Sequence, residues 1–423
     1  MLIILKTFNM KKQFIGPFTQ LLTMRDLPLK GALADKQLEI INHAGLYVEN
    51  EYIVEVGDYE QLEEKYQDAE QVVLSGNNVC LPSYIDCHTH IAFAGNRAND
   101  FALRNAGSSY LEITAAGGGI WSTVQHTRAC SEEELIDLIV ERANELVKQG
   151  ITTIEVKSGY GLNVEQELKT LRAIKSANTK TVTELISTCL AAHMKPRNFV
   201  GTSVEYLNYI QEELFPILKA EKLTNRIDAF IEQSAFSADE IRSYLVKAKE
   251  MGFDITLHAD QFTTSGSALA VEVGAVSADH LEASTIEEIQ LLADSDVVAV
   301  ALPAASLGLG CDFTPARALL DAGASLAIAT DWNPGSAPMG QLLASASILA
   351  TMQKLTNAEV LAALTFRATH ALNLKDRGRL VAGQLADFII YSTDNYQNIT
   401  YLQGTLQPTS VWKNGQQIYH NKA

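Results

Sequence analysis

The sequence predicts an α/β protein: a (β/α)8 TIM barrel with a small β-sandwich domain formed from both chain ends. Three observations carry this. Short apolar runs alternate with longer helical patterns through the middle of the chain, whereas both ends read as short alternating strands between turns. The chain has 423 residues, 47% of them hydrophobic, enough for one large domain plus a smaller one. The expected division assigns residues 81–380 to the barrel and residues 1–80 plus 381–423 to the small domain.

Taken in order, Leu46-Tyr47-Val48 and Tyr52 to Val56 are alternating segments of the first end. Asp387 to Tyr391, Ser410 to Lys413 and Gln417 to Tyr419 are their counterparts at the other, the last following an Asn-Gly turn at Asn414 and Gly415. Between them, candidate strands run Leu81–Ile91, Thr152–Ser158, Val182–His193, Arg226–Glu232, Asp254–Asp260, Ala275–Leu281, Val297–Ala304 and Ser325–Asp331. A capping box of Ser131 and Glu134 opens a helix with Leu135, Leu138, Ile139 and Leu146 on its apolar face, and Gly150 ends it. Similar patterns fill Ser237–Met251 before Gly252 and Ser284–Ala293. A doubly wound sheet shares this alternation; the count of eight strands favours the barrel. No repeat or low-complexity tract interrupts the pattern.

Thirty-three Lys and Arg stand against 50 Asp and Glu, a formal charge of −17. Such a surface repels phosphate backbones and anionic lipid, so nucleic acid and membrane are not expected partners, and a small molecule is. Five cysteines, Cys80, Cys87, Cys130, Cys189 and Cys311, form no C-x-x-C pair and are odd in number, which fits a reducing cytoplasm. The opening MLIILKTFNMKKQF has charges after its apolar run and no small-residue cleavage site, so it reads as no signal peptide, and Met10 offers an alternative start. The apolar fraction serves core and interface alike, which leaves a homodimer open.

A barrel of this kind carries its active site at the C-terminal strand ends. The first strand ends in Asp86-Cys87-His88-Thr89-His90, where the two-residue period turns His88 and His90 to one side. The fifth ends in Leu257-His258-Ala259-Asp260, the sixth in Ala278-Asp279-His280 and the eighth in Ala329-Thr330-Asp331. Five potential ligands thus meet at one rim, a combination that points to a metal centre although any one histidine alone would not. By alternation Asp279 is expected on the face opposite His280, and so not as a partner for the ligands. Lys157 alternates with Glu155 on the second strand, which fits an ion pair inside the barrel mouth.

These strand ends resemble the amidohydrolase superfamily, whose members have an H-x-H pair, two further histidines and an aspartate at the same strands. The likeness extends to Leu81-Pro82 before the first strand and to Asp376-Arg377-Gly378 with Ala386-Asp387 near the end. It implies one divalent or ferric ion, zinc or iron, on His88, His90, His258 and Asp331; the N and O donor set accepts either metal. The fourth strand, Arg226 to Glu232, contains no lysine to bridge a second ion, which favours one.

Longer segments are similar to a narrower group of that superfamily, the cyclic-amide hydrolases that open an imidazolone ring bearing a propionate in histidine degradation. These are His88 to Arg97, Gly117-Gly118-Gly119-Ile120, Glu155 to Leu162 with its K-S-G-Y-G-L, and Thr330 to Ser336 with its D-x-N-P-G-S. The implied substrate is a small anionic heterocycle. Arg97 then offers a fork for its carboxylate. Tyr110 and Tyr160 would stack on the ring or donate a hydroxyl, His193 would bond the carboxylate or a ring atom, and Asn333, Gly335 and Ser336 would hold substrate or product oxygens. Gln261 stands where certain relatives have a glutamate; since glutamine takes no proton at neutral pH, it reads as a substrate contact, and the base becomes His280 or Asp331. The stretch Leu302 to Gly308 is less typical of the group. The rivals to this reading are another cyclic-amide hydrolase or aminohydrolase of the superfamily and, more remotely, a non-catalytic scaffold on the same fold.

Overall fold

The computed structural model describes residues 11–108, 112 and 116–421; Tyr110 lies outside them. The N-terminal part supplies β1 Lys12–Leu22, β2 Ile40–Glu49, β3 Tyr52–Asp58, β4 Glu70–Val73 and β5 Val79–Pro82. The barrel follows as β6 Tyr84–Asp86, β7 Ile151–Lys157, β8 Glu184–Ala192, β9 Arg226–Phe230, β10 Asp254–Ala259, β11 Ser277–His280, β12 Val298–Ala301 and β13 Ser325–Ile328. The C-terminal strands are β14 Phe388–Tyr391, β15 Ser410–Lys413 and β16 Gln416–His420.

The two chain ends share one sheet, in the order β16-β15-β14-β5-β1-β2-β3, with β4 also on β1. Its strands meet over a core of Phe18, Leu46, Cys80, Phe388, Ile390 and Trp412, drawn from both ends of the chain. The Asn414-Gly415 turn takes left-handed φ at both residues, 50° and 68°, as a two-residue hairpin turn requires. Leu81 and Pro82, expected at the start of the first barrel strand, instead pair with β14 in this sheet, and the barrel begins two residues later.

The barrel strands pair in sequence order from β6 to β13, each parallel to the next. Strand β7 is buried on both faces. Ile154 and Val156 share the large core with Leu135, Ile139 and Leu146 of the preceding helix, while Glu155 and Lys157 alternate to the other side. The helix Glu132–Lys148 begins at the Ser131–Glu134 capping box, and Gly150 follows it with φ 90°. The helix expected from Ser284 is capped by Thr285 and spans Ile286–Ala293. The two edges of the sheet are joined beyond the strands. His90 N donates to Trp332 O and Asp331 N to His88 O, both at 3.0 Å. The segments that carry the candidate ligands are therefore the ones that close the barrel.

Candidate active site

At the C-terminal rim, His88 Nε2 lies 3.3 Å from His90 Nε2, and His90 Nε2 lies 3.2 Å from His258 Nε2. Asp331 Oδ1 is 3.5 Å from His88 Nε2 and 3.4 Å from His90 Nε2. Tetrahedral ligands on metal–nitrogen bonds of about 2.0–2.1 Å stand about 3.3–3.4 Å apart, so each of these separations is the one expected between neighbouring donors on one small cation. Asp331 Oδ1 is buried and has no hydrogen-bond partner among the described residues, an acceptor that a cation would satisfy. Two groupings, His88 with His90 and Asp331 and His88 with His258 and His280, each fall within ligand range of one another.

The tautomers follow from the outer partners. His88 Nδ1 lies 2.6 Å from Asp279 Oδ2, and His258 Nδ1 lies 3.0 and 3.2 Å from the two Asp228 oxygens. Each ring donates at Nδ1 and keeps the Nε2 lone pair for the centre. Burial lowers His88 and His90 well below the usual imidazole range and His258 to about 4, the Asp228 carboxylate opposing this last shift; neutral imidazole is the ligating form. Burial pushes the Asp331 carboxyl up to about 7 while the His280 charge and Asn333 pull it down, and a cation at the centre adds to that pull.

Asp279 overturns the expectation of an outward-facing residue. Its register partner in β10 is His258, and both face the barrel interior. His280, which regular alternation would then send outward, has φ 87° and is turned back to line the cavity. Its Nδ1 is 3.5 Å from Glu282 Oε2; burial lowers its affinity for a proton, but the Glu282 and Asp331 carboxylates outweigh this and raise it.

Above the cluster opens a cavity of about 450 Å³, a common size for a small-molecule site. Among the residues singled out in the sequence, His90, His258, His280, Asp331, Arg97, Tyr160, His193, Gln261, Asn333, Gly335 and Ser336 all line it. His88 lies behind them, fully buried. Arg97 gives Nε to Asp100 Oδ2 at 2.7 Å, and Asp100 also accepts from Gly119 N at 2.8 Å. Arg104 was not expected. It lines the same cavity, donates Nη2 to Gly335 O at 3.3 Å and leaves Nε without a partner among the described residues. Its signal was present in the sequence, because Arg97, Asp100 and Arg104 are spaced i, i+3, i+7 and share a helix face.

His193 Nδ1 donates to Gly159 O at 2.9 Å, and burial lowers the ring below its usual range. The neutral ring therefore offers Nε2 as an acceptor. Burial raises the Tyr160 phenol, which stays a hydroxyl. The D-x-N-P-G-S segment is tied to itself: Asn333 Nδ2 donates to Asp331 Oδ2 at 2.9 Å, and Asn333 Oδ1 accepts from Gly335 N at 2.7 Å and Ser336 N at 2.8 Å. Those two backbone donors, expected to face substrate oxygens, here hold the amide that fixes Asp331. Gly335 is needed for a second reason, since a Cβ there would come within 2.3 Å of Arg97 Nη1. The less typical stretch after β12 forms the helix Pro303–Leu309, whose Gly308 packs against Ser336, and Leu309 and Cys311 complete the cavity wall.

A family model described as the amidohydrolase family matches residues 114–419. The imidazolonepropionase of Bdellovibrio bacteriovorus is 39% identical over 407 residues, covering 93% of this chain and 94% of that protein. That of Bacillus cereus is 38% identical, covering 95% of each chain. The chain belongs to the imidazolonepropionase family of amidohydrolases. A third member, from Myxococcus xanthus, reaches 44% identity over 79% of this chain and 80% of its own length. Among solved structures, an atrazine chlorohydrolase from Arthrobacter aurescens complexed with zinc superposes with a TM-score of 0.72 at 16% identity, covering 97% and 95% of the two chains. An adenosine deaminase from Xanthomonas campestris with bound zinc superposes at 0.69 with 18% identity, covering 96% and 92%. At such identities these likenesses establish the shared fold. Among the described residues no helix is long and apolar enough to cross a membrane.

Proposed function

We propose that this chain hydrolyses the ring amide of 4-imidazolone-5-propanoate to N-formimidoyl-L-glutamate, a step of histidine degradation, in the cytoplasm. The observation that carries the reading is one cavity whose floor holds the His88, His90 and Asp331 donors, with His258 beside His90, and whose wall carries a pair of guanidinium groups. In the reaction the ring C–N bond breaks, the carbonyl carbon takes the hydroxyl of water, and the ring nitrogen takes the proton. A single zinc or iron ion held by His88, His90, His258 and Asp331 would polarise the carbonyl and acidify water.

The chain's own groups do the rest. Arg97 is balanced by Asp100, and Arg104 adds a second positive charge, so the three together carry one net positive charge to meet one carboxylate. His193 Nε2 accepts from a ring N–H, which the neutral tautomer permits and a carboxylate would not satisfy. The Tyr160 and Ser336 hydroxyls and the Gln261 amide serve the ring's remaining polar groups. His280 and Asp331 move the proton: Asn333 holds Asp331 Oδ2 in place, while Glu282 keeps His280 ready to take a proton and return it to the ring nitrogen.

Metal-analysed protein incubated with freshly made imidazolone propionate tests this. Mass spectrometry should find a product heavier by one water; unchanged substrate with metal-loaded protein would contradict the reading.

A further inference from the structure

Beneath the histidines lies a lysine that this mechanism does not use. Lys157 is fully buried, and its Nζ lies 2.8 Å from Glu155 Oε1, 2.8 Å from Asp228 Oδ2 and 3.9 Å from Asp279 Oδ2. Each carboxylate has a second attachment. Asp228 receives His258 Nδ1, and Asp279 receives His88 Nδ1. Glu155 Oε2 accepts from Thr89 N at 3.2 Å, the peptide between His88 and His90. The Lys157 backbone N also donates to Thr89 O at 3.0 Å. One ammonium thus contacts the supports of three ligands contributed by two strands, β10 and the segment after β6.

We propose that Lys157 is a positioning residue for the metal centre: its ammonium clamps Glu155, Asp228 and Asp279 so that His88, His90 and His258 are held in ligating geometry. This rests on the reading that those histidines and Asp331 hold an ion. Three buried carboxylates facing one ammonium is an arrangement that stability alone does not favour, because excess buried charge costs more than an apolar filling of similar volume. The geometry gives that excess a use. Carboxylates behind ligating histidines fix ring orientation and raise ligand basicity, and they do so only if their own oxygens are held.

The test uses the full chain, stripped of metal by a chelator and titrated with Zn2+ alone against a competing chromophoric chelator, with the visible spectrum of the Co2+ form as a second readout. Lys157→Met should weaken Zn2+ binding about 10–100-fold, the range for loss of an outer-sphere partner, and alter the Co2+ bands. A lysine that serves only the fold would lower the melting temperature of metal-free protein and leave both readouts unchanged. If Lys157→Met does not fold, the charge-balanced pair Lys157→Met with Glu155→Gln decides on the same readouts. A folded variant with wild-type affinity and spectrum overturns the assignment. Wild-type protein that binds no ion would instead overturn the reading of the metal centre.

Discussion

The two ends of the barrel solve the burial of charge differently. At the mouth, Lys157 faces three carboxylates in a fully buried cluster, and every carboxylate also holds part of the proposed ligand set. At the floor, Arg377 bonds Glu184 Oε2 at 2.6 Å and Asp376 Oδ1 at 2.9 Å, while Lys413 reaches Glu184 at 3.5 Å and Asp387 at 3.4 Å. Two cations meet three carboxylates there, and Glu184 and Asp376 are partly open to solvent. The floor cluster ties β8 to the sheet of the chain ends, and its one surplus negative charge is shared by carboxylates that reach solvent. The mouth keeps two negative charges in excess, fully buried, behind the histidines proposed to hold an ion. A barrel whose catalytic and structural ends are opposite predicts this asymmetry.

The largest loss is expected at the proposed ligand Asp331. Asp331→Ala should lose its bound metal and reduce turnover by about 10³-fold or more, since water is no longer acidified at the centre; metal analysis and product formation report both. Full metal and full rate in this variant would remove the centre from the mechanism. Next, Arg97→Met and Arg104→Met should each lower kcat/KM about 10–100-fold, mostly through KM, as expected for a charge-assisted hydrogen bond worth about 1.5–3 kcal/mol. An amide in place of the substrate's carboxylate should erase most of the difference between wild type and variant.

At the floor the outcome inverts. Arg377→Met should cost about 1–3 kcal/mol of stability, a buried-pair loss discounted for the exposure of Glu184, and leave metal content and KM unchanged; calorimetry and metal analysis separate the two. The smallest effect is in its pH dependence. Burial alone would raise the Glu184 carboxyl, but Arg377 and Lys413 outweigh it and hold it below the usual value. A lowered folded value means that the pair's stabilisation is present above the unfolded pKa of about 4.3 and is lost as pH falls through the lower folded value. The stability gap between wild type and Arg377→Met should therefore close in acid, and a gap constant with pH would show that Glu184 is not the partner that matters.

The same contrast explains what could be read from the sequence. Eight strands were legible because each is an apolar run bounded by turn residues, and the convergence of His88, His90, His258 and Asp331 at one rim was legible because they stand at strand ends. Asp279 was not, because its role depends on a positive φ at His280 that no alternation pattern contains. The Glu155–Lys157 pair followed from spacing on one strand, but Asp228 joins it only because β7 and β9 flank β8, across 71 positions of chain from Lys157. The inward bonding of Asn333, Gly335 and Ser336 was hidden for a different reason: a turn that could present its N–H groups to a ligand can equally present them to its own side chain.

X-ray absorption at the metal edge of the loaded chain reads the donor shell itself. One ion in an N/O shell at about 2.0–2.2 Å is expected, with the multiple-scattering signature of imidazoles from three histidines. A sulfur shell, or a metal–metal vector at about 3.5–4 Å, would contradict it.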